Sequence, residues 1–291
     1  MTYPISIIGV GNMGGAMARN LLSKGWAVAV HDLDDAKVMD LKAYGALTVI
    51  DGTLDVPKST ATITCVVDAA QTRDVLFGDN GIAKAMPLGH TVLLCPTLAP
   101  FDVEQIANEL TLQGLHTIDA PMSGGPARAR DGTMSLMVAC ADHVFNRHKS
   151  LINALSSKVF RISEKPGDGA RTKLVNNLLA GINLVGAAEV LAMAQKMGLD
   201  LAKTLNVIEQ SSGQSWIGSD RMHRALAGDY APRAHMTLLQ KDTRLAVDAA
   251  HQAGFQGPLG IHARDAFSQA SAGGLAHLDD AAVFKWLCDD A

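Results

Sequence analysis

Little in this sequence speaks for a metal, a disulfide framework or a polyanionic partner. Its 291 residues include four cysteines, Cys65, Cys95, Cys140 and Cys288. They lie far apart and form no C-x-x-C pair, so neither a zinc site nor a stapled scaffold is expected. Ten histidines form no H-E-x-x-H helix. His143 and His148, five apart, are poorly spaced for one helical face and read as surface residues. The net charge of −4, with 19% charged residues, offers neither a basic face for nucleic acid nor a polybasic patch for a membrane. There is no internal repeat and no low-complexity linker. Met1-Thr2-Tyr3-Pro4 runs directly into an apolar stretch, without a basic n-region, an h-region and a cleavage site. These absences predict a soluble, reduced, cytoplasmic protein with no metal, nucleic-acid or membrane partner. What is abundant is material for a core: 48% of residues are hydrophobic, over a length that suits two domains or one large one.

Ile5 to Val10 reads as a buried strand that enters Gly9-x-Gly11-x-x-Gly14. A helix follows from Ala16 to Ser23, ended by Gly25, and a second strand from Trp26 to His31 closes on Asp32. Strand, glycine turn, helix, strand and acid in this order form a dinucleotide fingerprint. Gly9 makes the tight turn, Gly11 admits the pyrophosphate, and Gly14 lets helix and strand pack. The free N–H groups of the helix N-terminus face the phosphates. The other reading is an ordinary βαβ unit with flexible glycines. Asp32 can accept from the adenosine ribose hydroxyls and repels a 2′-phosphate; Leu33, Asp34 and Asp35 supply no arginine. NAD is therefore expected over NADP.

The alternation continues through helices at Asp34–Tyr44, Gln71–Phe77 and Phe101–Leu112, and strands at Leu47–Val49, Ala61–Val67, Thr91–Leu94 and from His116. It predicts a doubly wound, mainly parallel sheet with its ligand beyond the strands' carboxyl ends. Those ends carry Asp32, Asp68, Pro96-Thr97 and Asp119. After Asp119 comes Ala120-Pro121-Met122-Ser123-Gly124-Gly125. Consecutive glycines there form either a nest of N–H groups for a substrate carboxylate or a tight turn that needs φ > 0. A strand from Thr133, a helix at Val144–Leu155 and a strand at Val159–Ile162 complete the α/β (Rossmann) domain, placed at residues 1–163.

Residues 164–291 read as an all-helical domain, entered by a long helix from about Ala170 to Met197, roughly 40 Å at ~1.5 Å per residue. Asp168 is placed to cap it and Gly198 to stop it. The helix is apolar on nearly every face, which predicts burial. It is long enough to span a bilayer, but Asn176, Asn177, Asn183 and Glu189 oppose that reading. Its excess of apolar surface predicts at least a dimer. Lys173 and Asn177 share one face near its start. Lys173 is either functional or a lysine snorkelling from a core helix to water. Further helices are expected at Leu201–Gln210, Ser219–Ala227, Met236–Ala253, Ile261–Ala272 and Asp280–Cys288. Lys241 and Arg244, three apart, read equally as a solvated basic face.

Together these segments resemble the β-hydroxyacid dehydrogenase family, which includes 3-hydroxyisobutyrate dehydrogenase and tartronate semialdehyde reductase. Gly9-Val10-Gly11-Asn12-Met13-Gly14 resembles its opening and Asp119 to Gly125 its substrate motif. Gly167-x-Gly169-x-x-x-Lys173-x-x-Asn176-Asn177 resembles its catalytic motif, and Lys241-Asp242 its late pair. The resemblance covers nearly the whole chain. It implies Lys173 as the acid/base, and Ser123, Gly124, Gly125, Asn177 and Lys241 at a small carboxylate substrate. It implies cofactor contacts from Gly9, Gly11, Asn12, Met13, Gly14, Asp32, Thr97 and Lys241. It also implies a homodimer or homotetramer. Cys95-Pro96-Thr97 departs from the usual Ser-Thr of the family; Pro96 loses a hydroxyl and an N–H. Ala69-Ala70-Gln71-Thr72, Gly213-Gln214-Ser215-Trp216 and Gly228-Asp229-Tyr230-x-Pro232 are similar to the L-threonate dehydrogenase branch, which implies a four-carbon sugar acid as substrate. The alternatives are the semialdehyde reductase or 3-hydroxyisobutyrate activities and, from another class, a non-catalytic NAD-binding sensor. A lysine suits proton transfer to and from the reacting oxygen if burial lowers its pKa toward working pH.

Overall fold

The structure, a computed structural model, describes residues 2–48 and 59–289. It divides into two compact units, Met1–Lys173 and Leu174–Ala291. The first opens with β1 (Ile5–Ile8), α1 (Asn12–Ser23), β2 (Val28–His31), α2 (Asp35–Ala43) and β3 (Leu47–Thr48). Val49, expected in β3, lies outside the described residues. Then come β4 (Ala61–Thr64), α3 (Ala69–Phe77), β5 (Thr91–Leu94), α4 (Pro100–Leu112) and β6 (His116–Asp119). These strands run parallel in the order β3-β2-β1-β4-β5-β6. The order reverses between β1 and β4, so a ligand crevice is expected beyond Ile8 and Thr64.

The strands are apolar on both sides because helices cover both sides. Ile5, Ile7, Val30, Ile63 and Leu93 join one core with Met17 and Leu21 of α1. Ile8, Val92 and Leu94 join another with Leu76, Ile106 and Leu110. Local caps set the helix starts: Asp34 accepts from the Ala36 N–H at 3.1 Å and Asp68 from the Gln71 N–H at 2.9 Å.

Beyond β6 the sheet changes direction. β7 (Met122–Ser123), α5 (Gly125–Asp131), β8 (Ser135–Ala139), α6 (Asp142–Leu155) and β9 (Lys158–Ser163) follow. β8 pairs antiparallel with β6 and β7, and parallel with β9. His148 on α6 is a correction to the surface reading, for it is fully buried. Its Nδ1 lies 2.7 Å from the Tyr3 hydroxyl and its Nε2 2.8 Å from the Thr91 hydroxyl. With both ring nitrogens satisfied it needs no water, and burial pushes its pKa down to about 4. His143 is exposed.

The helical unit begins within α7 (Asp168–Lys196) and continues through α8 (Leu201–Glu209), α9 (Trp216–Leu226), α10 (Met236–Gln252), α11 (Pro258–Ala270) and α12 (Val283–Asp289). α9 starts earlier than expected because Ser215 caps it, accepting from the Gly218 N–H at 3.1 Å. Leu184, Ala188 and Leu191 of α7 pack with Met222, Leu239, Phe267 and Val283. Gly181 permits the close approach of α10, since a Cβ there would stand 2.7 Å from Cγ2 of Thr243. Asp279, wholly buried, is held by Arg224 at 2.7 Å and by the N–H groups of Arg233, Ala234 and Ala281.

Two expectations about α7 are overturned. Asp168 does not cap it: as the first helical residue it turns to the Ser163 hydroxyl at 2.7 Å and to Arg171 at 2.9 Å. Nor is the helix buried all round, for Val175 is 72%, Leu179 58%, Met193 56% and Met197 65% exposed. By length and composition it is apolar enough to cross a membrane, and a third of its most apolar window (33%) is buried within the chain.

Candidate active site

The glycine turn is built by contacts that exclude side chains. Gly9 has φ +85°, and a Cβ on it would lie 2.7 Å from the Cys65 carbonyl oxygen. A Cβ on Gly14 would lie 1.9 Å from the Gly9 carbonyl oxygen, so α1 can start so close to β1 only with glycine there. At Gly11 a Cβ would meet nothing within 4 Å. Internal packing therefore leaves that flank open, as the approach of a pyrophosphate requires. Asn12, the first residue of α1, is exposed. Met13 is half-buried and packs against the core.

Asp32 is fixed by the chain around it. Its Oδ2 accepts from the Val10 N–H at 2.7 Å and its Oδ1 from the Asp34 N–H at 3.0 Å, with Lys37 Nζ 4.0 Å away. The carboxylate is thus bonded to the glycine turn itself, and its remaining lone pairs are available to a ribose. A cavity of about 410 Å³ flanks the turn, bordered by Gly11, Asn12, Arg19, Lys37 and Arg130. Thr97 is half-buried in the loop beyond β5, where Pro96 is fully buried.

Asp119 closes β6 and is almost completely buried. Its Oδ2 accepts from the Gly167 N–H at 2.8 Å and the Ala170 N–H at 3.1 Å. Four residues on, Ser123 ends β7, and Gly124 (φ +129°) and Gly125 (φ +73°) lead into α5. Both angles require glycine, so the turn reading holds for both. Gly125 alone faces open space, with nothing within 4 Å of a Cβ; at Gly124 the Cβ would stand 2.9 Å from Cδ of Arg128. An open flank is what a nest for a carboxylate needs in addition.

Lys173, the last residue of the first unit, is only 7% exposed. Such burial speaks against a lysine that snorkels freely to water. In the helical unit, Nδ2 of Asn177 donates to Oδ2 of Asp242 at 2.6 Å. Lys241 Nζ lies 3.5 Å from the other oxygen of the same carboxylate. Asp242 therefore ties Asn177 to Lys241. The sequence reading gave Asp242 no role, although it stood inside the late Lys-Asp pair. Arg244 is more than half exposed and pairs with Asp248, whereas the Lys241 side chain is 19% exposed. The two cations do not share one solvated face. Among the described residues no His, Cys, Asp and Glu cluster suits a metal.

Comparison with known proteins fits this geometry. A family model described as the NAD binding domain of 6-phosphogluconate dehydrogenase matches residues 4–163. Another, described as NAD-binding of NADP-dependent 3-hydroxyisobutyrate dehydrogenase, matches residues 167–287, which include all of α7. L-threonate dehydrogenase of Haemophilus influenzae is 36% identical over 97% of this chain and 94% of its own length. 3-Hydroxyisobutyrate dehydrogenase of Pseudomonas aeruginosa is 34% identical over 91% of each. The crystal structure of 3-hydroxyisobutyrate dehydrogenase from Salmonella typhimurium superposes with a TM-score of 0.90 at 35% identity, over 98% of this chain and 99% of that one.

Proposed function

Because this chain belongs to the 3-hydroxyisobutyrate dehydrogenase family of NAD-binding hydroxy-acid oxidoreductases, we propose that it oxidises a four-carbon sugar acid of the L-threonate type, with NAD preferred over NADP. Similarity to L-threonate dehydrogenase along almost the full chain supports the substrate class. The Asp32 carboxylate, held against the glycine turn with no arginine beside it in sequence, supports NAD. A 2′-phosphate there would meet a fixed negative charge. The expected penalty is at least about 10-fold, or ~1.4 kcal/mol. Comparable kcat/KM with NAD and NADP would overturn the preference.

Bound nicotinamide supplies the hydride acceptor. The chain's own residues manage the proton and the geometry. Lys173 takes the proton as the alcohol oxygen loses it and returns it in reverse. Ser123, Gly124 and Gly125 hold the carboxylate, and Asn177 orients the substrate without competing for the proton. Lys241 contributes at the substrate or the nicotinamide end. Gly9, Gly11, Asn12, Met13, Gly14, Asp32 and Thr97 hold the cofactor. In this reading residues 1–163 are the nucleotide domain and 164–291 the substrate and dimerisation domain of a homo-oligomer. Cys65, Cys95, Cys140 and Cys288 form no disulfide with one another, as a protein of a reducing compartment would have it.

The burial of Lys173 carries this proposal. Lys173→Ala is expected to lower kcat about 10²–10⁴-fold, the usual share of general acid–base catalysis. NADH binding, followed by fluorescence, stays within about two-fold. The assay is NAD-coupled absorbance over threonate, erythronate, glycerate, 3-hydroxyisobutyrate and 3-hydroxypropionate. Near-normal turnover of the variant removes Lys173 from the chemistry, and preference for a three-carbon or branched acid removes the sugar-acid reading.

A further inference from the structure

A helix that carries an acid/base must have its start fixed, because one turn of fraying moves the group by several ångströms. The first turn of α7 has no side-chain cap of its own. Gly167, just before it, has φ +102°, and Asp168 is occupied by Ser163 and Arg171. The open N–H groups are taken up from elsewhere. Asp119, 48 residues earlier, accepts from Gly167 at 2.8 Å and, 51 residues away, from Ala170 at 3.1 Å. The Gly169 N–H also faces this carboxylate and lowers its pKa. Two hydrogen bonds, with a third N–H beside them, thus converge on one buried group.

The seat is tailored on both sides. Asp119 is the last residue of β6, in register with Leu94 of β5 on one flank and Ala139 of β8 on the other. It cannot shift without the sheet. From the helix side, a Cβ on Gly169 would stand 2.9 Å from the Asp119 carboxyl carbon and 2.8 Å from the Met137 carbonyl oxygen. Ala170 is 2% exposed and anchors the same turn in the core beneath. Lys173 follows one turn later, at i+3 from Ala170 and i+4 from Gly169.

We propose that Asp119 is a positioning residue for hydride transfer: its carboxylate holds the first turn of α7 and so fixes where the Lys173 amine stands. This rests on the reading of Lys173 as the acid/base. It assigns a role to a strand-end aspartate that is 1% exposed and bonded to the backbone of the helix start.

The arrangement has a pH signature. Burial pushes the Asp119 carboxyl up to about 6, against the lowering effect of these three N–H groups. The charged group facing it from α7 is Asp168, which pushes the same way. From the loops beyond β5 and β8 it faces the Cys95 and Cys140 thiols, both raised by burial and hence uncharged near neutrality. Only the carboxylate accepts strongly from these N–H groups. The cap therefore forms as pH rises through about 6 and weakens below it.

The test is Asp119→Asn in the full-length enzyme, beside Gly169→Ala, which displaces the carboxylate while leaving it chemically intact. Both are expected to lower kcat about 10–100-fold, the cost of misplacing a reacting group by about an ångström. The dissociation constant for NADH should change less than about two-fold. In Asp119→Asn the acid limb of kcat near pH 6 should disappear, which a merely structural role would not produce. Hydrogen exchange should show loss of protection confined to the amides of Gly167, Gly169 and Ala170. In a Lys173→Ala background, Asp119→Asn should cost nothing further in kcat. If Lys173→Ala is inactive while folded Asp119→Asn and Gly169→Ala keep normal kcat and the wild-type pH profile, the positioning role is wrong and the acid/base reading survives. If Lys173→Ala is active, the acid/base reading fails first. Should Asp119→Asn not fold, Gly169→Ala and the wild-type profile decide: no kcat limb near pH 6 and no kcat loss in Gly169→Ala overturn the role.

Discussion

At the scale of single residues, the two glycines of the nucleotide turn make opposite predictions from similar sequence positions. Gly14 is required by the fold: its Cβ would stand 1.9 Å from a carbonyl oxygen. Gly14→Ala is expected to destabilise by about 3 kcal/mol, at the upper end for overpacking, and to lower Tm by roughly 10 °C. Gly11 faces open space. Gly11→Ala should leave Tm within about 1 °C yet weaken NADH binding at least about 10-fold, because only the cofactor meets the added methyl. Thermal unfolding and fluorescence titration separate the two, and a Gly11→Ala protein that binds NADH normally would show that the phosphates pass elsewhere. The turn was legible in sequence because its steric demands are local. The Asp119 cap was not, because its donors lie 48 and 51 residues away and Asp168 offered a nearer candidate. Asp242 was hidden for the same reason: its partner Asn177 is 65 residues distant.

At the scale of elements, α6 shows how a misread residue changes a prediction. His148, expected at the surface, is buried between Tyr3 and Thr91, and His90 is buried against Thr62 at 2.9 Å. Burial pushes both imidazoles down to about 4 from an ordinary 6.5. The unfolded chain thus binds more protons than the folded one between those values. Their contribution to stability is complete above pH 6.5 and is lost as pH falls through about 4. Asp119, raised to about 6, acts in the opposite direction between 3.8 and 6. Asp280, raised to about 7, acts the same way as Asp119, so two imidazoles stand against two carboxyls and the wild-type Tm should change little from pH 6.5 to 4. His148→Gln removes one imidazole and should gain Tm relative to the wild type as pH falls over that range; an unchanged difference would mean that His148 is protonated inside the fold. The periodicity of α6 was read correctly from Val144 to Leu155. It assigned the wrong face to His148 because the two hydroxyls that receive the ring come from the start of the chain and from β5. β7 and α5 escaped notice for a simpler reason. A two-residue strand has no alternation to read, and a seven-residue helix opening on Gly125-Pro126 resembles a turn.

At the scale of the whole molecule, the parallel sheet and the helical run that follows were both legible, since strands alternate with helices in the first half and give way to helices alone in the second. What surface the chain leaves open was not. Val175, Leu179, Val190, Met193 and Met197 are 40–72% exposed. At about 100° per residue they fall within roughly 60° of one another around α7. Gly186 lies on the same stripe with nothing within 4 Å of a Cβ. Such a stripe is the face that the homo-oligomer proposed above would use. Leu179→Glu is therefore expected to shift sedimentation from oligomer toward monomer at micromolar protein, and unchanged sedimentation would direct the search to another face.

The buried aspartate of the helical unit sets an order on biosynthesis. The guanidinium of Arg224 and the amides of Arg233 and Ala234 all wait for Asp279. A nascent chain emerges amino end first. Those donors are thus made before their acceptor leaves the ribosome, and until then the Arg224 guanidinium has the partly exposed Asp220, 3.9 Å away, in place of its buried counter-ion. The polar centre of this unit is therefore assembled only once Asp279, 55 residues after Arg224, has been made.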